Sequence, residues 1–219
     1  MAIDLFEFWS QVQPADKQHP QDREVLSRIK GSFDLTCLPS CFMGPLKTAP
    51  VVLLYLSPGL SECDRNDAIK PKGRDRVMGC RVGDKMLPGP DDHETAWVWW
   101  KQRTKNFGEW RDLRLKVAFL NICAYHSTAF KEYWPLTALP SSRVTLDWAQ
   151  TVLFPDAISG KRVVVCLRAA KFWGLDEGDR GKRYGKALFA PCVTRGGHMK
   201  SEPLKVEIIK TVKAALVQQ

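Results

Sequence analysis

Four runs of apolar residues, each followed at once by polar or turn-forming residues, constrain the fold of this chain more than any other feature. They occupy residues 49–59, 116–121, 161–167 and 187–195. Apolar residues follow one another in each run instead of alternating with polar ones, which is typical of strands covered on both faces. Helical patterns separate the runs, as parallel strands require. We therefore expect an α/β fold: a three-layer α/β/α sandwich with a central, mainly parallel four-stranded sheet.

The segments that directly follow the four runs are where we expect the chemistry of the protein. Ligands of an open α/β sheet bind beyond the carboxyl ends of its strands, because loops and helix N-termini converge there. These segments are 57–59, 121–126, 194–198 and the residue Arg168, which we expect to contact nucleic acid. The fold would bring all four segments to one edge of the sheet.

Helical patterns and irregular stretches account for the rest of the chain. Apolar side chains recur at helical spacing in 3–9, 21–29, 95–107, 142–154 and 202–217, and a further helix begins at Ala169. Residues 59–90 and 178–185 are rich in glycine and charge without a period, which predicts loops. Because 219 residues with 44% hydrophobic content can form one sizeable core, we expect a single domain over 1–219, with 1–48 as a helical and loop extension packed on it.

The chain is basic, with 33 Lys and Arg residues against 24 Asp and Glu residues and a formal net charge of +9. Such a positive field favours polyanions and steers nucleic acid to a surface, although many basic proteins bind none specifically. The basic residues are concentrated in 70–81, 101–116 and 161–183, which we expect to rim a single cleft. The sequence contains neither an apolar run of bilayer length nor a charged-then-apolar leader, so we expect a cytoplasmic protein without a membrane partner.

The seven cysteines are odd in number, and the absence of a secretory signal argues against a disulfide framework. They are Cys37, Cys41, Cys63, Cys80, Cys123, Cys166 and Cys192. Cys37 and Cys41 have a loose metal-ligand spacing, but no second tight Cys or His pair completes a tetrahedral set. We therefore expect no metal and no cofactor, with an iron–sulfur cluster held by the first four cysteines as the open alternative.

The first candidate site is the segment 56–61, which ends the first apolar run. A strand that ends in Pro58 and Gly59 turns sharply and lets the backbone approach a ligand closely. The hydroxyls of Ser57 and Ser61 can donate to a phosphate or to the edge of a base. The alternative is an ordinary turn between a strand and a loop.

The second candidate site is the segment 121–127. Asn121 closes a buried strand, where an amide is costly unless it is paired, and its donor and acceptor atoms suit the Watson–Crick edge of a base. His126 suits general acid–base catalysis or the stabilisation of an anion, and Tyr125 lies beside it as a further substrate contact. The alternative is a satisfied structural asparagine followed by a surface histidine.

The third candidate site is the segment 194–201, between the last apolar run and the terminal helix. Gly196 and Gly197 allow close approach of the backbone, while Arg195, His198 and Lys200 bring positive charge. The N-terminus of the following helix adds the positive end of its dipole. These features predict contacts to phosphate, and the alternative is a solvated turn.

Taken in this order, the four segments resemble the uracil-DNA glycosylase superfamily. That family has a water-positioning motif of the Gln-Asp-Pro-Tyr or Asn-Pro-Gly type after its first core strand, a base-reading Asn at the end of a later strand, and a His-Pro-Ser-type loop after its fourth. Here Leu-Ser-Pro-Gly at 56–59 is similar to the first motif and Phe-Leu-Asn at 119–121 to the second. Residues 194–201 occupy the place of the last loop, so the resemblance covers about residues 49–202.

The resemblance implies that nucleic acid binds along the carboxyl ends of the strands and that a flipped base enters a pocket floored by Asn121. The glycosidic bond would break as negative charge develops on the leaving base, and His198, or alternatively His126, would stabilise that charge. The family's water-activating Asp or Asn corresponds to Ser57, whose hydroxyl holds a water but is no general base near neutral pH.

Three functions follow as expectations, because Ser57 stands where the family has an acid or amide and the nearest acidic residues in sequence are Glu62 and Asp64. One is removal or recognition of an altered base, with Ser57, Asn121 and His198 as catalytic residues. Another is a non-catalytic module that keeps the fold and binds nucleic acid or a protein partner. A third possibility is a small-nucleotide hydrolase that holds phosphate at 196–197. We expect a monomer that binds DNA in preference to RNA.

Overall fold

Each of the four apolar runs contains one strand of a central sheet in a computed structural model, which describes residues 4–14, 16–29, 31–92, 94–130, 132–200 and 202–218. The strands are β1 (Phe42–Met43), β2 (Val51–Tyr55), β3 (Val117–Asn121), β4 (Val163–Cys166), β5 (Lys182–Tyr184) and β6 (Leu188–Ala190). The helices are α1 (Leu5–Ser10), α2 (Arg23–Arg28), α3 (Glu62–Ile69), α4 (Pro71–Cys80), α5 (Glu94–Thr104), α6 (Trp110–Lys116), α7 (Pro135–Ala138), α8 (Pro140–Trp148), α9 (Phe154–Ser159) and α10 (Glu202–Val217). Among the described helices, none is at once long and apolar enough to cross a membrane.

The sheet has the strand order β1-β3-β2-β4-β6-β5. Its four inner strands are parallel, while β1 and β5 pair antiparallel to their neighbours at the two edges. The α/β class is as predicted, but the expectation of a four-stranded sheet is wrong, since the sheet is six-stranded and mixed. The two additional strands are two and three residues long. Neither contains the continuous apolar run by which the inner strands are recognised.

Helices pack on both faces of this sheet, and every residue of its four inner strands is buried. Val52 and Leu54 of β2 belong to one hydrophobic cluster, which includes buried residues of α1, α8 and α9. Val51 and Leu53 belong to a second cluster with buried residues of α5, α6 and α10. Successive side chains of a strand point to opposite faces, so the two clusters are the cores above and below the sheet.

The N-terminal extension joins the first of these cores. Asp4 caps α1 by accepting hydrogen bonds from the backbone N–H groups of Phe6 and Glu7, which fixes the start of the helix. Phe8 and Trp9 are fully buried in the cluster that contains Val52 and Leu54, and Leu26 of α2 joins them. The extension therefore packs against the sheet with the apolar faces of its helices buried.

Three local predictions are wrong. Residues 59–90 contain the helices α3 and α4 instead of a long irregular loop. Residues 178–185 contain the edge strand β5, and the helix expected at Ala169 is only a 3₁₀ turn at Ala170–Trp173. Charged short helices and edge strands bury few apolar side chains, so hydrophobic periodicity does not reveal them. Local signals for α3 and α4 exist, namely the capping box formed by Ser61 and Asp64 and a proline at the first position of α4.

Candidate functional site

A cavity of about 250 Å³ lies at the carboxyl ends of β2 and β3. These two strands are neighbours with Tyr55 opposite Asn121, so the segments that follow them meet at one edge of the sheet. The polar lining of the cavity includes Ser57, Ser61, Asp64, Asn121 and His126. Its apolar lining includes Met43, Tyr55, Trp99, Trp100 and Phe119. We call this space the aromatic cavity. It brings the first two candidate sites together, as the strand order required.

The turn after β2 supplies one rim of the aromatic cavity. Ser57, Pro58 and Gly59 all line it, and Ser57 and Pro58 are half-buried. Ser61 then caps α3: its hydroxyl accepts from the backbone N–H of Asp64, and the Asp64 carboxylate accepts from the backbone N–H and the hydroxyl of Ser61. This reciprocal cap fixes the start of α3 and holds the Asp64 carboxylate at the cavity.

Asn121 presents an amide to the floor of the aromatic cavity. It is the last residue of β3, and only 8% of its surface is exposed. Its Nδ2 donates to the main-chain carbonyl of Ser40 at 3.1 Å, which orients the amide because only the nitrogen can donate. Within the described residues no further hydrogen bond reaches this side chain, so the Oδ1 acceptor and the second N–H are available to a ligand.

His126 lies beside the turn after β2. Its Nδ1 is 2.6 Å from the carbonyl of Gly59, so Nδ1 carries the hydrogen and donates to that oxygen. An Asp64 carboxylate oxygen is 3.9 Å from the same nitrogen. The neutral ring therefore offers Nε2 as an acceptor, whereas the protonated ring offers it as a donor. A histidine held in this way can serve as a base or as an anion-stabilising group.

Aromatic rings from α5 and from β2 and β3 form the walls of the same cavity. The ring of Trp99 is 4.9 Å from that of Tyr55 and 5.9 Å from that of Phe119. The Tyr55 hydroxyl is buried and has no hydrogen-bond partner among the described residues. Burial raises the pKa of this phenol, so it remains a neutral donor at physiological pH. In the sequence, these walls are indicated by the tryptophan-rich segment 97–100. Trp99 and Trp100 line the cavity, whereas Trp97 does not.

The comparisons with known proteins add no relative to this geometry. No protein-family model, no curated protein and no solved structure matches the chain. The roles given above to Ser57, Asn121 and His126 therefore stay predictions.

Tyr125 does not line the aromatic cavity, although it precedes His126 in sequence. Its side chain is 1% exposed and belongs to the core on the side of α1 and α8. Its hydroxyl donates to a buried carboxylate oxygen of Asp22 at 2.5 Å and accepts from the backbone N–H of His19. The backbone N–H of Ser141 donates to the other oxygen of Asp22. Tyr125 is therefore placed in a buried polar network and not at the candidate site.

The third candidate site does not line the aromatic cavity. Residues 193–199 form a tight turn, closed by pairing of Val193 with Met199, with Arg195 and Gly196 exposed at its tip. Gly197 and His198 line a second cavity of about 160 Å³, whereas Arg195, Gly196, Lys200 and Arg168 line neither cavity. Ser201 lies outside the described residues. His198 thus lines a different cavity from Ser57 and Asn121. Of the histidines that the structure describes, His126 is the one that lines the aromatic cavity.

The basic stretches do not rim a single cleft. Arg81 is buried and donates to the Pro39 carbonyl, and Arg114 donates to the Leu87 carbonyl. Arg162 donates to the Lys47 carbonyl. Arg103 also donates to main-chain carbonyls, those of Trp99 and Gly196, but it lines the second cavity together with Lys105. Much of the positive charge therefore supports the fold, because arginines satisfy loop carbonyls, and only part of it faces a cavity.

The cysteines form no metal centre in the described part of the chain, where no group of three or more His, Cys, Asp and Glu side chains could hold a metal ion. The seven thiols are free. Cys41 lies in the core with its sulfur 3.2 Å from the Thr145 hydroxyl, while Cys63 accepts a hydrogen bond from the Thr95 hydroxyl. Burial raises the pKa of Cys80 to about 11 and that of Cys41 to about 12, as expected of inert core thiols.

Proposed function

We propose that this chain is a uracil-DNA glycosylase-like protein that takes an altered, flipped base of a nucleic acid into the aromatic cavity. One observation carries the proposal: residues 57–61 line one cavity with Asn121 and His126, which are far from them in sequence, at the carboxyl ends of adjacent parallel strands. They belong to the segments whose motifs resemble that superfamily. The net charge of +9 supports a polyanionic partner.

The size and walls of the aromatic cavity suit a single nucleobase. A dry cavity of about 150 Å³ accepts a benzene molecule, so the space of about 250 Å³ suffices for a heteroaromatic ring. Stacking of a base on an aromatic side chain contributes about 1–3 kcal/mol. Trp99, Tyr55 and Phe119 would supply this stacking, and it offsets the few kcal/mol that base flipping costs.

The polar groups at the cavity suit recognition of a base edge. The Asn121 amide offers one acceptor and one donor side by side, which matches the paired donor and acceptor atoms of a base edge. Ser57 would hold a water by its hydroxyl. His126 would either accept a proton from that water through Nε2 or, when protonated, donate to the charge that develops on the leaving base.

The test of this proposal is the release of altered bases from defined oligonucleotides. Oligonucleotides that bear uracil, hypoxanthine, xanthine or a mismatch are incubated with the protein, and binding and abasic-site formation are measured for each. We expect one of these bases to be bound in preference to its parent base. Replacement Asn121→Ala removes a bidentate contact and should reduce that preference by about 1–3 kcal/mol, or about 5- to 150-fold.

The matched control is Asn66→Ala, which removes an exposed amide from α3 and should leave the preference unchanged. Loss of the Asn121 hydrogen bond to Ser40 costs about 1 kcal/mol of folding stability, so unfolding is measured in parallel. Equal discrimination by wild type and Asn121→Ala, with both folded, contradicts the proposal.

A second function, recognition of the base without its removal, is favoured by the chemistry of the acidic group at the cavity. Ser57 provides no carboxylate, and the Asp64 carboxylate already accepts two hydrogen bonds from Ser61. Asp67, the other acidic residue of the lining, is paired with Arg76. This alternative predicts base-dependent, salt-sensitive binding with no abasic sites. The same oligonucleotide panel distinguishes the two functions.

A further inference from the structure

We infer that the second cavity, which lies between the end of α5 and the turn 193–199, binds a phosphodiester group next to the base held in the aromatic cavity. The inference rests on the proposed function and extends it to the substrate class: a nucleotide within a strand, not a free base. We call this space the basic cavity. Its lining is Gln102, Arg103, Lys105, Asn106, Leu167, Gly197, His198, Met199 and Lys205.

The side chains of the basic cavity are those that recognise phosphate. Arg103, Lys105 and Lys205 bring three cationic groups to a space of about 160 Å³, and His198 and Asn106 add further polar atoms. The volume equals that of several water molecules, enough for a phosphate group. Lys205 lies in the first turn of the 16-residue helix α10, at the end where the helix dipole favours an anion. No acidic residue lines the cavity in the described part of the chain.

Arg103 is held in place for this role by contacts on two sides. Its guanidinium lies over the ring of Trp99 at 4.3 Å, and its Nη2 donates to the Gly196 carbonyl at 2.9 Å. Its Nη1 donates to the Trp99 carbonyl and to the Gln102 side-chain oxygen, which leaves, within the described part of the chain, the second N–H of Nη2 for an anion. An arginine that is stacked and anchored loses little freedom when it binds an anion. A β-carbon at Gly196 would lie 3.3 Å from the His198 ring and 3.7 Å from Arg103, so the two basic side chains flank the same backbone.

The two cavities share a wall. Trp99 lines the aromatic cavity, and Arg103, stacked on Trp99, lines the basic cavity. Gly197 has φ +75°, and a β-carbon there would lie 3.2 Å from Cε1 of Tyr55 and 3.4 Å from the Leu167 carbonyl. Glycine is therefore required at 197, where the backbone packs directly on the other wall residue. A base and a phosphate bound on the two sides of this wall would belong to neighbouring parts of one strand.

Helix electrostatics offers another reason for positive charge after α5, because cations at a helix C-terminus are favourable without any ligand. The two explanations predict different losses. A cation that serves only the helix changes folding stability when it is removed, whereas a phosphate ligand changes binding and its dependence on salt.

The experiment compares Lys105→Gln with Lys213→Gln, a matched change of an exposed lysine on α10 two turns beyond Lys205. The probe is a short fluorescein-labelled single-stranded oligodeoxynucleotide, bound across a series of salt concentrations. One lost phosphate contact lowers the slope of log K against log salt by about 0.7 in magnitude. We expect that decrease for Lys105→Gln and a smaller one for Lys213→Gln, with both variants as stable to urea as the wild type. Equal slopes for the two variants overturn the inference.

Two further arms separate this inference from the proposed function. Inorganic phosphate and a mononucleotide are titrated against the oligonucleotide complex, and the binding assay is repeated with Asn121→Ala. If Lys105→Gln lowers the salt dependence of binding although the protein shows no base preference, the phosphate site in the basic cavity is supported and the base site in the aromatic cavity is contradicted. Base preference without a Lys105 effect does the reverse. Competition by the mononucleotide at the same concentration as an oligonucleotide of matched sequence overturns the assignment to a strand.

Discussion

The segment 121–126 supplies polar side chains to two regions that differ in how completely their hydrogen bonds are used. Asn121 and His126 line the aromatic cavity, whereas Tyr125 joins Asp22 and His19 in the buried network on the other side. In the network, both oxygens of Asp22 accept hydrogen bonds. At the cavity, Asn121 uses only one of its two side-chain N–H groups, and behind the cavity wall the fully buried Tyr55 hydroxyl has no partner among the described residues.

This difference separates a structural polar cluster from a candidate binding site. Buried polar groups are almost always satisfied in a folded protein, and each one that is not costs about 1–3 kcal/mol. The side chains of Asp22, Tyr125 and His19 are saturated by partners within the protein, so they stabilise the fold and have nothing left for a ligand. The buried Ser141 hydroxyl beside them has no partner among the described residues, but it lines neither cavity. Unused donors and acceptors that face a cavity are instead what a ligand would complete. Each prediction below tests whether the two regions differ in this way.

The largest expected effect is that of Asp22→Ala in the buried network. The substitution removes the acceptor of the Tyr125 hydroxyl and of the Ser141 backbone N–H, both buried. Hydrogen bonds to a charged group contribute about 1.5–3 kcal/mol each, so the free energy of unfolding should fall by about 3 kcal/mol or more. Urea denaturation measures the change, and Asp75→Ala, an exposed carboxylate on α4, should stay within about 0.5 kcal/mol of wild type. A loss of similar size in both variants would show that Asp22 does not hold the network.

The sequence predicted one of the two regions and not the other, for a physical reason. Asn121 and Ser57 follow apolar strands directly, so the rule that ligands bind at strand carboxyl ends locates them without knowledge of packing. Tyr125 lies on the same segment, but its partner Asp22 is 103 positions away, and no local pattern announces such a pair. The side of the sheet that a loop residue faces depends on that distant partner. Sequence proximity therefore assigned Tyr125 to the wrong region.

The basic residues show the same limit, because the sequence does not reveal which of them face a cavity. Arg195 and Lys200 are next to the glycines of the turn, yet the lining of the basic cavity comes from Arg103 and Lys105 at the end of α5. The sequence shows that charge is present, but it does not show which arginines are used up by main-chain carbonyls. Arg114, for example, donates to the carbonyl of Leu87. That allocation is decided by tertiary packing.

A second prediction concerns the pH dependence of the network through His19. Burial lowers the pKa of His19, which is fully buried and stacked on Phe8. Its Nε2 donates to the Phe8 carbonyl, and its Nδ1 accepts from the Gln21 N–H, so only the neutral ring satisfies both contacts. The unfolded chain then binds the proton more tightly than the folded one. The stability contribution is complete above the unfolded pKa of about 6.5 and is lost as the pH falls below it.

The slope of this loss is at most about 1.4 kcal/mol per pH unit for one group. Urea unfolding between pH 7 and pH 5 measures it for wild type and for His19→Asn, which caps the following turn without a titrating ring. We expect the variant to be less stable at neutral pH and to show a flatter profile. If the two profiles run parallel, the acid sensitivity belongs to other groups, and the network is not its origin.

The smallest expected effect comes from a matched pair of hydroxyl deletions, one on each side of the comparison. Tyr125→Phe removes a hydroxyl that donates to Asp22 and accepts from the His19 N–H, so it should cost about 1–3 kcal/mol of unfolding free energy. Tyr55→Phe removes a buried hydroxyl without a partner among the described residues. Stability should then stay the same or rise by about 1 kcal/mol, because the desolvation penalty of that hydroxyl is relieved. Because the Tyr55 hydroxyl is fully buried, a ligand in the aromatic cavity would meet the ring and not the oxygen, so the variant should bind oligonucleotides as the wild type does. Urea unfolding of both variants measures the difference, and equal losses of stability from the two deletions would contradict the distinction between the two regions.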